Sequence, residues 1–188
     1  LLDRIDHLII GGGMAYTFWK AQGGIIGNSL LEEERLETCI HILEKARQKG
    51  VKVHLPMDSV IADAFSNEAQ KTNCESMGIP AGWMGLDIGK KAQADFREVI
   101  LKCKTILWNG PMGVFEMPAF AEGTRCTARA VVEATEGGAF SLIGGGDSAA
   151  AVNQLGFGER VSYVSTGGGA LLEYMEGKVL PGIAALEN

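Results

Sequence analysis

Short apolar runs recur along the 188-residue chain, and most stop at glycine or proline. They are HLIIGG (7–12), VKVHLP (51–56), SVIADAF (59–65), GWMGLDIG (82–89), TILWNGP (105–111), AFSLIGGG (139–146) and RVSYVSTGGG (160–169). Runs of this length bounded by turn residues predict buried strands. Between them the apolar spacing becomes helical. Residues 29–50 are expected to form a helix, with Ser29 and Glu32 at capping-box spacing and acids crowding the first turn. Leu36, Ile40 and Leu43 would share its buried face, and Gly50 would end it. Residues 91–102, through Phe96, Val99 and Ile100, predict a second helix, and the small-residue stretch 124–136 a third. The polar segment 66–80 reads as an excursion loop, and Leu1 opens the chain on what reads as a helix already under way. Strands and helices in alternation imply an α/β domain whose parallel sheet is covered on both faces.

Four of the predicted strands run into loops of unusual composition: GGG at 11–13, NGPMG at 109–113, GGGD at 144–147 and GGG at 167–169. In a parallel sheet these ends lie along one edge, where open α/β folds bind their ligands. The clearest case is LIGGGDSAAAV (142–152), where three glycines precede an acid, a hydroxyl and a small-residue helix. Glycines let a ligand approach the backbone, and a helix start turns free N–H groups toward an anion. The alternative is a tight strand-to-helix turn with Asp147 as its N-cap. Four such loops converging on one edge make a nucleotide-sized site the stronger reading.

Composition narrows the partners. The net charge of −6 argues against a nucleic-acid binder, which would carry a basic excess. A small anion remains compatible where backbone N–H groups and a metal supply the positive field. The 26 glycines are about twice the usual share, and they gather after apolar runs rather than spreading as in a linker. The cysteines at 39, 74, 103 and 126 form no close pair, so reduced thiols and a cytoplasmic setting are expected. No 18-residue apolar run is present, so no membrane span is expected, and LLDRIDHLII lacks the form of a signal peptide. No Walker A motif occurs, and GGGMAY and GGGDSA lack the third glycine of a dinucleotide fingerprint. His7, His41 and His54 read as structural residues without partners, and Trp19, Trp83 and Trp108 as core.

The stretches IIGGGMAYTF, GNSLLEEE, GWMGLDIG, ILWNGPMGVFE, LIGGGDSAAAV and VSTGGGALLEYMEGKVLPG, in this order, resemble the C-terminal, nucleotide-binding domain of the phosphoglycerate kinase family. The resemblance spans nearly the whole of residues 1–188. It implies a Rossmann-like, three-layer α/β/α sandwich with a mostly parallel sheet, truncated at its N-terminal end. It further implies reversible phosphoryl transfer between 1,3-bisphosphoglycerate and ADP, with Mg2+, in a full-length protein that is monomeric. On this reading Gly12, Gly13, Leu30, Gly85 and Leu86 line an adenine slot, whose flat apolar walls suit an aromatic base. Asn109 and Pro111 shape the loop near the phosphates and ribose, Gly113 and Val114 lie against the nucleotide, and Glu116 accepts from ribose hydroxyls. Asp147 holds Mg2+, and Ser148, where threonine is common, offers a hydroxyl to a phosphate oxygen. Gly145, Gly146, Gly168 and Gly169 present N–H groups to the phosphoryl in flight. The lobe that would bind 3-phosphoglycerate or 1,3-bisphosphoglycerate is absent from these residues. So are the first strand of the nucleotide lobe and its glycine–lysine segment. The 188 residues alone are therefore expected to be inactive. A nucleotide-binding or interaction module without catalysis is the alternative.

Overall fold

The apolar run 7–10 becomes β1 (His7–Ile9), and the glycines behind it open a helix, α1 (Gly12–Ala21), rather than a loop. The computed structural model describes residues 1–75, 77–175 and 177–180. Pro181 and Gly182, which close the last of the quoted stretches, lie outside them. Ahead of β1 the chain is not helical: a turn is closed by the Arg4 N–H on the Leu1 carbonyl at 2.8 Å. β2 (Ile25–Ile26) follows α1, and α2 (Leu36–Lys49) begins seven residues later than the capping-box spacing predicts. Ser29 caps nothing there, because its hydroxyl is committed elsewhere in the fold, and residues 33–35 form a separate 3-10 turn. At the other end Gly50 is left-handed, φ 73°, and terminates α2 as expected. The buried face of α2 runs through Cys39 and Ala46, whereas Ile40 is exposed.

β3 (Lys52–His54) pairs in parallel with β1. The next strands depart from a single parallel sheet. β4 (Asp58–Ala62) is flanked by β5 (Lys71–Glu75) and by a strand after β6 (Gly78–Ile79), namely β7 (Met84–Ile88). Both pairings with β4 are antiparallel, and β2 and β6 make a short parallel pair of their own. The segment 66–80 is thus partly strand, not an excursion loop. Beyond α3 (Lys90–Lys102) the βα alternation returns: β8 (Thr105–Asn109), α4 (Glu122–Glu136), β9 (Phe140–Gly144), α5 (Gly146–Gln154), β10 (Tyr163–Ser165) and α6 (Gly168–Met175). β8, β9 and β10 form a parallel sheet with β9 in the centre. Among the described residues neither the β1 edge away from β3 nor the β8 edge away from β9 has a strand partner. The architecture is Rossmann-like α/β with an antiparallel three-stranded sheet added.

Two faces of α1 explain why it sits between layers. Ala15 and Phe18 pack with Ile10 and Cys39 toward β1 and α2, while Tyr16 and Trp19 pack with Ile26, Ile61 and Ile79 toward β4. Each pair is spaced by three, so one helix buries two adjacent stripes. Trp19 and Trp108 are core residues, and Trp83 is half-buried. The main core joins Phe96 and Ile100 of α3, Trp108 and Ile143 of the sheet, and Val131 of α4. Asp58 ties the added sheet to that core. α3 starts on Gly89, which has no side chain to cap it, and the Asp58 carboxylate accepts from the Lys91 and Ala92 N–H groups at 3.0 and 2.8 Å. All four cysteines are free thiols, and no helix among the described residues is long and apolar enough to cross a membrane.

Two of the histidines do have partners. His7 Nδ1 lies 3.0 Å from His54 Nε2, and His54 Nδ1 lies 3.4 Å from Asp95 Oδ2 on α3. Burial, and then the neighbouring His54, hold the His7 imidazole below its ordinary range; Lys52 and Lys102 act in the same direction, and Asp6 opposes them. A folded pKa below the unfolded one means that the unfolded chain takes up the proton first. The contribution of His7 is therefore complete above about pH 6.5 and is lost as pH falls below it. Thermal midpoints should decline on acidification from about pH 7.5 to about pH 5.5, and His7→Gln should flatten the decline. An unchanged slope in the variant would remove His7 from this account.

Candidate functional site

Three strand ends share one row. Asn109 of β8 pairs in register with Gly144 of β9, and Gly144 pairs with Ser165 of β10. The loops 109–113, 144–147 and 166–169 therefore leave the sheet side by side. Backbone contacts link them. The Gly145 N–H donates to the Ser165 carbonyl at 3.1 Å, and a methyl group on Gly145 would lie 2.8 Å from Asn109 Oδ1. Gly145 adopts φ 93°, a conformation that requires glycine.

The loop after β1 joins the same row through its contacts with residues 111 and 112. The Met112 side chain occupies the space a side chain on Gly11 would need. A Cβ on Gly12, whose φ is 60°, would stand 2.6 Å from the Pro111 carbonyl oxygen. One on Gly13 would stand 2.6 Å from Leu30 Cδ2. Gly12, Gly13, Leu30 and Pro111 are thus neighbours, and Leu30 is exposed, free to offer an apolar surface.

Gly85 and Leu86 are placed differently, on antiparallel strand β7 and buried. The Gly85 N–H donates to Ser29 Oγ at 2.9 Å, and the Tyr16 ring fills the space where a Gly85 side chain would be. The Leu86 side chain packs with Ala62 and Phe120, and its carbonyl accepts from the Val114 N–H at 2.9 Å. Their backbones thus tie β7 to Ser29, next to Leu30, and to Val114 in the loop after β8. Glu116 is exposed beyond Val114.

Around Asp147 the geometry separates two readings. The N-cap of α5 is Gly145, with no side-chain cap, so Asp147 is not the N-cap. It stands in the first helical turn with an exposed carboxylate. Ser148 is buried, and its hydroxyl accepts from the Gly110 N–H at 2.7 Å. That bond ties the start of α5 to the loop after β8. The Trp108 indole N–H braces the same loop against its own strand, donating to the Gly110 carbonyl at 2.7 Å. No group of three His, Cys, Asp or Glu side chains able to hold a metal occurs among the described residues. A hard cation at Asp147 would thus take its remaining oxygens from phosphate and water, as Mg2+ does.

Two residues near the site are not among the sequence candidates. Thr124, on the first turn of α4, accepts from the Met112 and Gly113 N–H groups at 3.0 and 3.3 Å. Asp87, buried on β7, accepts from the Gly123 and Ile88 N–H groups, each at 2.8 Å. The signal available in sequence was a single acid inside the apolar run GWMGLDIG, flanked by residues that predict a buried strand.

The phosphoglycerate kinase family model matches residues 1–178. A phosphoglycerate kinase of Porphyromonas gingivalis is 55% identical over 188 residues, which is all of this chain and 45% of that protein. One from Clostridioides difficile is 56% identical, with 46% of its length covered. The solved phosphoglycerate kinase of Coxiella burnetii superposes with a TM-score of 0.93 at 44% identity, over 100% of this chain and 47% of that one. That of Pyrococcus horikoshii gives 0.74 at 30% identity, over 98% and 45%. The chain spans about half the length of the relatives it matches.

Proposed function

The chain belongs to the phosphoglycerate kinase family, and we propose that it is the C-terminal part of such an enzyme, a domain over residues 1–188 that binds MgADP and MgATP. The observation that carries this reading is the row of glycine loops at the ends of β8, β9 and β10, with the loop after β1 against them. Their glycines carry no side chain to screen the backbone, so N–H groups at the starts of α5 and α6 can reach phosphate oxygens directly, while those of Gly110, Met112, Gly113 and Gly145 are spent holding the loops together. Gly12, Gly13 and Leu30 offer the base a flat apolar wall, with Gly85 and Leu86 behind it. Asn109, Pro111, Gly113 and Val114 frame the nucleotide, and Glu116 meets the ribose.

Bound Mg2+ would offset phosphate charge, and Asp147 is the carboxylate placed to hold it, at the start of α5 and free of any cap bond. Ser148 keeps the loop after β8 next to that helix start through Gly110. Gly146, Gly168 and Gly169 present N–H groups where charge develops on the moving phosphoryl, whereas the Gly145 N–H is already taken by the Ser165 carbonyl and Gly145 serves the turn through its backbone conformation. The substrates of the whole protein are ADP or ATP and 3-phosphoglycerate or 1,3-bisphosphoglycerate, the latter pair held by a lobe outside these residues. The protein acts as a cytoplasmic monomer.

Asp147→Asn is expected to weaken MgADP binding by roughly tenfold, about 1.4 kcal/mol, and to leave metal-free ADP binding nearly unchanged. Calorimetric titrations with Mg2+ and with EDTA measure both. Equal losses under the two conditions would assign Asp147 to the helix and not to the metal.

A further inference from the structure

We propose that Asp87 is a positioning residue for the nucleotide-facing loop, its ionised carboxylate holding Gly113 and Val114 against the start of α4. The inference rests on the nucleotide reading above. Asp87 is 2% exposed, and each of its oxygens accepts one backbone N–H: Ile88 on its own strand, Gly123 on α4. A methyl group on either Gly113 or Gly123 would overlap Oδ1, so the loop and the helix both rest directly on the carboxylate. On either side of this contact the loop is held by Thr124, through the Met112 and Gly113 N–H groups, and by the Leu86 carbonyl, through Val114.

The Asp87 backbone reaches the other nucleotide loop. Ser59 Oγ donates to the Asp87 carbonyl at 2.8 Å, which leaves the Tyr16 hydroxyl to donate to Ser59 Oγ at 2.9 Å. Tyr16 lies on α1, the helix that opens at Gly12. One buried residue thus connects the supports of residues 11–13 and of 112–114.

The titratable groups acting with Asp87 are Glu122 and Cys126 on α4 and Tyr16 on α1, and none of them is a cation. Burial pushes the Asp87 carboxyl up to about 7, with a smaller push from the Glu122 charge, against the Gly123, Ile88 and Glu122 backbone donors that favour the anion. When the carboxyl takes a proton, the oxygen that carries it becomes a donor and faces an N–H group. That hydrogen bond is lost, and Gly113 loses its fixed rest. Affinity for MgADP should therefore fall roughly two- to tenfold as pH drops from about 8 to about 6, the worth of one hydrogen bond.

Asp87→Asn places one amide oxygen and one NH2 group against the same two donors, and so reproduces the protonated arrangement at every pH. Its MgADP affinity should match that of the wild type at low pH and lack the Asp87 step. Because the nucleotide phosphates titrate in both proteins, the difference between the two profiles is the quantity to read. Thr124→Val should weaken binding and keep the step. In the wild type, the amide resonances of Gly123 and Gly113 should shift together with a midpoint near pH 7. Identical pH profiles for wild type and Asp87→Asn would overturn the proposal, as would a Gly113 amide that stays still while Gly123 titrates. If Asp87→Asn does not fold, the two wild-type amide titrations decide. If the wild type binds no MgADP, the nucleotide reading fails, and the same titrations still decide whether Asp87 holds the loop.

Discussion

A polypeptide of these 188 residues is expected to form no ATP from 1,3-bisphosphoglycerate and ADP, and to do so once the remaining segments of a family member are supplied in trans. Transfer requires an acceptor held in line with the moving phosphoryl, and such positioning is worth roughly 7–11 kcal/mol. The four glycine loops can cradle a nucleotide, but they contain no lysine or arginine, and their one charged side chain, Asp147, is an anion. Nothing in those loops offsets the phosphoryl charge except N–H groups and whatever metal Asp147 holds. Among the described residues β1 and β8 each have one edge without a strand partner, which gives an added strand somewhere to pair, so complementation has a structural route. A coupled assay of ATP formation checks this, on protein shown by mass spectrometry to be free of intact enzyme. Turnover by the 188 residues alone would refute it.

Gly12→Ala is expected to weaken nucleotide binding by more than about tenfold while the protein remains folded. Two penalties add. At φ 60° a side chain costs about 1–2 kcal/mol, and here the new Cβ would also stand 2.6 Å from the Pro111 carbonyl oxygen. That oxygen belongs to the backbone of the loop after β8, so relief must come from moving one nucleotide loop away from the other. Gly138→Ala is the matched control. Gly138 has φ 97°, with nothing near its missing side chain, so it carries the conformational penalty without the collision. Both variants should lower the thermal midpoint by a few degrees. Only Gly12→Ala should lose ADP affinity in titration; equal affinity in the two would show that the loops do not need this close approach.

The β8–β9–β10 sheet and its loops were legible because each strand is a short apolar run that ends in glycine, and a parallel βα repeat puts those ends on one edge. α1 was not legible. It starts on Gly11 with no side-chain cap and no acid in its first turn, so the usual marks of a helix start are missing. β5 escaped notice for a different reason: KTNCE is polar and almost wholly exposed on an edge, so no buried face imprints an alternation. Alternation also says nothing of strand direction, which is why β4 and β7 read as members of the parallel sheet. Ser29 carries the spacing of a capping box, but a buried N–H on Gly85, distant in sequence, takes its hydroxyl. Asp87 shows the general difficulty. A buried carboxylate satisfied by two amides is defined by its partners, and one of these, Gly123, comes from a segment that only the fold brings beside it.

The Tyr16 ring lying where Gly85 has no side chain has a consequence for how such sequences can diverge. A residue larger than glycine at 85 collides with the buried ring, its Cβ overlapping Tyr16 Cζ, so it calls for a smaller residue at 16 first. The reverse order leaves a cavity, which destabilises but does not collide. Lineages leaving this pair should therefore pass through loss of the ring first, and an alanine at 85 should be found only beside a shortened residue at 16. Sixty-nine positions apart in the chain, the two are inherited as one choice.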